Sequence, residues 1–153
     1  MEEALVEDLL GKNCYVVDIL PARVPDERIG KYIEVEDFYL QPAELRRIAE
    51  KFSNILIKLH CYRDFIIFHE KWYTHMGMVE LARLVQQVLE SKDDYINLLC
   101  KEEKMLIVIS GGTLHMSVYN PELGAIADLS MLATAEGLFL RCAEQPAVKR
   151  VIK

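Results

Sequence analysis

Glycine and proline are scarce in this sequence, seven and five of 153 residues, which excludes long linkers and argues for an ordered chain. The four cysteines, Cys14, Cys61, Cys100 and Cys142, form no CxxC or other close metal-type pair. The Met-Glu-Glu opening lacks the basic and apolar regions of a signal peptide. A cytoplasmic protein with reduced thiols is therefore expected. Apolar runs are short of the ~20 residues a spanning helix needs. The longest candidate, Leu123 to Cys142, is interrupted by Asp128 and Glu136, so no membrane association is expected. Positive charge is also in deficit: 18 Lys and Arg against 24 Asp and Glu give a net charge of −6. That field repels a phosphate backbone and makes nucleic acid a disfavoured partner. No GxSxG turn occurs, and Gly111-Gly112 precedes no helical pattern, so it is no phosphate loop.

What is present reads as one domain over residues 1–153. The stretch Met105 to Asn120, MLIVISGGTLHMSVYN, joins two β-rich runs through Gly111-Gly112, the pair that a two-residue primed turn favours. Counting outward sets Ser110 opposite Thr113, Ile109 opposite Leu114, Val108 opposite His115 and Ile107 opposite Met116. One face then holds Met105, Ile107, Ile109, Leu114, Met116 and Val118, and the other mixes Leu106 and Val108 with Thr113, His115, Ser117 and Tyr119. Glu2 to Leu10 reads as a short amphipathic helix and Cys14 to Leu20 as a strand. The segment PARVPDERIG reads as an exposed connection, and Tyr32 to Leu40 as a strand with Ile33, Val35 and Tyr39 on one side and Glu34 and Glu36 on the other.

Gln41-Pro42 opens a long helix whose Leu45, Ile48, Ala49, Phe52, Ile55, Leu56 and Leu59 recur near 3.6 residues. Phe65 to Phe68 is a buried strand, His69 to Met76 a connection, and Met78 to Leu89 a second long helix. Tyr95 to Cys100 begins a three-strand meander that the hairpin completes. A final helix starts at Asn120-Pro121, runs through GAIADLSMLATAEGLFLRCA, and is expected to be the most buried. The fold class is α+β: a mixed, mainly antiparallel sheet of about six strands packed by three or four helices.

Candidate sites are few. His69, Glu70, Trp72, Tyr73 and His75 form the densest group of site-type side chains. His69 and His75 are six apart, neither the spacing of HExxH nor of a zinc finger, so a metal would need a distant ligand such as Asp64 or Cys61. Glu34, Glu36 and Asp37 gather carboxylates on an early strand, suited to a solvated edge or to covering a basic surface. His115 projects beside Ser117 and Tyr119 without the elbow that a nucleophile requires. His60 sits where a helix dipole favours its cation, and Cys61 is expected to be buried and inert. No catalytic residue, metal set or cofactor is read from these patterns.

The segments NCYVVDILPARVP, YIEVEDFYLQ, IKLHCYRDF, LHMSVYNP and AEGLFLRCA give the chain a resemblance, over nearly its whole length, to a group of small single-domain bacterial proteins of unknown function. The resemblance implies a bacterial cytoplasmic origin and carries no functional residues. The expected role is a non-enzymatic protein-interaction module, of the immunity or antitoxin-inhibitor kind, acting through the Trp72 loop and the Glu34-Glu36-Asp37 face. Two alternatives stay open: a small metal-binding or hydrolytic enzyme using His69, His75 and His115, and a ligand-binding regulator with its pocket between the sheet near His115 and the last helix. The supply of large apolar residues also suits a homo-oligomer.

Overall fold

The computed structural model describes residues 1–143; residues 144–153 of the expected domain lie outside the described residues. The elements follow in the order α1 (Glu2–Leu10), β1 (Cys14–Asp18), α2 (Ile29–Tyr39), α3 (Pro42–Leu59), β2 (Ile66–His69), β3 (Lys71–Tyr73), α4 (Met78–Leu89), β4 (Tyr95–Cys100), β5 (Met105–Ser110), β6 (Met116–Tyr119), α5 (Leu123–Ala135) and β7 (Phe139–Cys142). The seven strands form one sheet in the order β3-β2-β4-β5-β6-β1-β7, every pair antiparallel. The α+β class and the β4-β5-β6 meander are as expected, with one strand and one helix more than the sequence suggested.

The core lies on one face of this sheet. Ile96, Leu98, Ile107, Ile109, Met116 and Val118 alternate onto it, and α3 covers them with the stripe Leu45, Ile48, Phe52, Ile55, Leu56 and Leu59, joined by Leu81, Val85 and Val88 of α4. The opposite face is covered only in part, where α1 sets Val6 and Leu9 over Leu99 and Leu106. At one end of the sheet the Arg63 guanidinium donates to Glu103 from Nε at 2.8 Å and to Asp128 from Nη1 at 2.6 Å, tying the end of α3 to the β4-β5 turn and to α5.

The hairpin register differs from expectation by two residues. Ile109 faces Met116 and Ile107 faces Val118, so the connection is longer than Gly111-Gly112 alone. The cause is a competing contact. Gly111 donates its N–H to the Asp94 carbonyl at 2.8 Å, and a Cβ at Gly111 would lie 1.5 Å from the Ser91 carbonyl oxygen. Gly111 is thus held against the loop before β4, while Gly112, at φ +76°, makes the turn. Because the shift is even, the apolar and polar faces stay as predicted.

Three other expectations are corrected. The expected strand Tyr32 to Leu40 is helical instead: Tyr32 to Tyr39 form most of α2, and Leu40 is its C-cap. Pro25 opens a 3-10 turn that leads into the helix, and Lys31 with Glu34 and Tyr32 with Glu36 stand at helical spacing. The alternation of Ile33 and Val35 with acids reflects composition rather than pairing. The final helix ends at Ala135 because Gly137, at φ +77°, donates to Thr134 O and buried Leu138 donates to Ala133 O. That is the 5→2 and 6→1 pattern of a Schellman stop. The residues beyond it become β7, which pairs with β1. Nor is α5 the most buried helix: only Ala125, Leu129 and Ala133 are enclosed, while Leu123 and Met131 face solvent, and α3 buries the most residues.

The Gly111 contact gives a direct test. Gly111→Ala is expected to lower the unfolding free energy by more than about 3 kcal/mol, because backbone must move to admit the methyl group. Gly112→Ala meets open space and is expected to cost about 1 to 2 kcal/mol for its positive φ alone. Urea titrations of both variants check the difference.

Candidate functional site

The β2-β3 hairpin disperses the group around Trp72. Its turn is Glu70, exposed and at φ 65°, and the strands alternate the remaining side chains to opposite faces. His69 turns toward the loop before β4, with Nε2 2.9 Å from Asp94 Oδ2. Trp72 lies against Phe68 at a ring separation of 5.2 Å and donates its indole N–H to Glu3 Oε2 at 3.2 Å, so it fastens α1 to the sheet. Tyr73 faces Ile67 and carries Lys71 over its ring at 5.3 Å. His75 joins His60, Asp64 and Thr74 instead, at the rim of two clefts of about 530 and 290 Å³ that share His60, Phe65, Thr74 and His75. His69 and His75 therefore stand apart, and among the described residues no three His, Cys, Asp or Glu side chains gather as a metal set. Cys61 is exposed rather than buried, because α3 stops at Leu59 and Cys61 falls in the turn beyond His60.

The carboxylate trio is also divided. On a helix, Glu34 and Glu36 point in different directions. Glu34 is exposed beside Lys31, Asp37 is exposed, and Glu36 is half-buried with Tyr32, whose hydroxyl donates to it at 3.4 Å.

What the fold brings together is a different set. On the sheet face opposite the main core, β1 sets Val16 across from Ser117 and from Arg141. Asp18 shares that face by alternation, and the β1-β6 register continued one residue beyond Val17 and Met116 places His115 beside it. Asp18 is only 7% exposed. Its Oδ2 accepts from Arg141 Nη2 at 2.8 Å and its Oδ1 from the Ile19 N–H at 2.7 Å. Tyr32 and Glu36 reach the same cluster from α2. Burial lowers the His115 pKa and raises that of Tyr32. Asp18 and Glu36 oppose the fall at His115, Arg141 adds to it, and Glu36 and Asp18 reinforce the rise at Tyr32. Near neutral pH His115 is therefore an uncharged imidazole and Tyr32 a hydroxyl donor. Among the described residues Arg141 Nε is the one buried side-chain polar atom without a hydrogen-bond partner. Arg141 also lines a cavity of about 140 Å³ between this cluster and the segment leading into α2.

Comparison with known proteins finds no matching family model, curated protein or solved structure. Of the candidates, Glu36 and His115 enter the cluster, while Asp18, Tyr32 and Arg141 escaped notice. A signal for two of them was present: Asp18 and Arg141 are lone charges at or inside the short apolar runs CYVVD and FLRC. A buried charge needs a partner, and each is the other's.

The second outstanding feature is α2 itself. It has no buried residue, and Tyr32, Glu36 and Tyr39 are its half-buried positions. Ile29 (53% exposed), Ile33 (49%) and Phe38 (55%) remain open to solvent, next to exposed Glu34 and Asp37.

The depressed His115 predicts a pH dependence. The unfolded imidazole titrates near its ordinary value of 6.5, so below that pH the unfolded chain takes up a proton that the folded chain resists. Stability falls as pH drops through 6.5 toward the lower folded-state pKa. The urea midpoint is expected to decline between about pH 7.5 and pH 5.5, and His115→Gln to flatten that decline. Ring-proton NMR titration of His115 below 6.5 completes the check.

Proposed function

We propose that this chain is a non-enzymatic protein-interaction module, acting in the cytoplasm, whose contact element is α2. The observation that carries this reading is a helix that holds to the body through Tyr32, Glu36 and Tyr39 yet leaves four large apolar side chains, Ile29, Ile33, Val35 and Phe38, in water. Apolar residues left open and interleaved with charge suit a contact surface. Glu34 and Asp37 lie between Ile33 and Phe38 on the outward side of the helix, and the net charge is −6, so the partner is a protein whose basic surface also offers apolar contacts. Complementary charge would speed their encounter, and the helix would lie against that surface. An inhibitor that masks a basic protein, of the immunity or antitoxin kind, has this chemistry. Trp72 is committed to Phe68 and Glu3 and serves the body of the fold in this reading.

The test is a double variant, Ile33→Ser with Phe38→Ser. Both side chains are about half exposed, so the thermal midpoint should change little. Recovery of the native partner on affinity-purified protein is expected to fall by at least about tenfold, as for the loss of contact residues worth over 1.4 kcal/mol. Equal recovery on wild type and variant would remove α2 as the contact surface.

A further inference from the structure

We propose a second binding site that shares no residue with α2: the recess between the end of α3, the β2-β3 hairpin and the start of α4 takes a small uncharged aromatic molecule carrying an N–H or O–H donor. The two clefts there, of about 290 and 530 Å³, have His60, Phe65, Thr74 and His75 in common, so they form one recess with those four residues at its neck. The inner part is apolar. Leu56, Ile67, Leu81 and Leu98, each at most 5% exposed, give it a floor that belongs to the core. Half-buried Met76 and Met78 line it beside them. The outer part carries Asp64, Lys101 and Glu102. Lys101 is engaged by Glu2 at 3.2 Å. By contrast, among the described residues no side-chain hydrogen bond or ion pair engages His60, Asp64, Thr74 or His75, whereas His69, on the same hairpin, is held by Asp94. An apolar floor under a few uncommitted polar groups is the usual composition of a small-molecule site.

Each property of the ligand follows from these residues. The inner cleft holds no charged side chain, so a charge buried there would go uncompensated and the part that enters is neutral. Outside it, Asp64 and Glu102 disfavour an anion. The ring is called for by Phe65 and by the thioethers of Met76 and Met78, which contact aromatic rings favourably. The donor is called for by Asp64, whose carboxylate only accepts hydrogen bonds and makes stronger ones than a neutral group does. A volume of about 290 Å³ is about twice that of the engineered cavity of roughly 150 Å³ that admits benzene, and so suits a bicyclic ring. The ring lies on the inner floor, and its donor reaches through the neck toward Asp64 and the Thr74 hydroxyl.

Isothermal titration of the full chain with indole tests the proposal, with N-methylindole as the analogue without a donor and cyclohexanol as the donor without an aromatic ring. Saturable binding of indole is expected with a dissociation constant at or below about 1 mM, in keeping with the affinity per atom that very small ligands reach. N-methylindole and cyclohexanol are each expected to bind at least about fivefold more weakly, since each lacks one half of the match. In NMR spectra of the histidine ring protons, indole is expected to shift His60 and His75 and to leave His69 and His115 in place. Asp64→Asn keeps the shape of the rim but removes the charged acceptor, and is expected to weaken indole binding about fivefold. Thr74→Trp fills the neck and is expected to abolish it. Asp64 and Thr74 are both exposed, so the thermal midpoints of these variants should stay close to wild type. Absence of saturable indole binding, equal binding of N-methylindole or cyclohexanol, undiminished binding by either variant, or shifts at His69 or His115 in place of His60 and His75 would overturn the proposal.

Discussion

Everything in this molecule is arranged around the burial of one face of an antiparallel sheet. Alternation along β4, β5 and β6 puts Ile96, Leu98, Ile107, Ile109, Met116 and Val118 on the same side, and the two long helical stripes of α3 and α4 fit over them. Each large side chain so enclosed contributes on the order of 1.5 to 3 kcal/mol relative to exposure, far more than any surface ion pair in the chain. The remaining elements are placed by what this layer leaves over. The segment α1 patches Leu99 and Leu106 on the reverse face, and α5 leans on the main layer with three residues. The segment α2 contributes no fully buried residue and meets the core only through half-buried Tyr39.

Charge inside the fold is handled by pairing rather than by exclusion. Arg63 is held between Glu103 and Asp128, and Arg141 against Asp18, with the side chains 8% and 19% exposed. Such pairs offset their own desolvation at best, but they fix geometry because stranding one member is costly. Arg63 fixes where α3 ends relative to α5. The Asp18-Arg141 pair draws the outermost strand into position and, in doing so, assembles the cluster that Tyr32, Glu36 and His115 complete. The fold thus produces a polar concentration on the face that the core does not need, beneath the root of the helix that the core does not cover.

The sequence was most informative where periodicity and chain punctuation agreed. The stripe of α3 with Pro42 at its start, the faces of the β5-β6 hairpin, and the meander could all be read from residue order. It misled where a local pattern had no partner to test it. Ile33 and Val35 alternate with acids as a strand would, yet a helix satisfies its own backbone while a strand there would need a free edge. Gly111-Gly112 has the composition of a tight turn, but the first glycine answers to Ser91 and Asp94, a contact no local rule contains. The Gly137-Leu138 stop was legible and was masked by the apolar run on either side. The candidate site was half legible. Glu36 and His115 drew attention as titratable groups, whereas their union with Asp18, Tyr32 and Arg141 depends on strand order.

The place of β1 between β6 and β7 has a consequence for the order of assembly. Val16 finds its two neighbours in Ser117 and Arg141, both far downstream, so during synthesis β1 emerges long before either partner exists. The local contacts of α3, α4 and the meander can form first, whereas joining β1 to the sheet requires closing two of the longest loops in the chain. The residues Asp18 and Arg141 meet only in that last step, and the cavity beside them comes into being only when the chain has folded to its outermost strand.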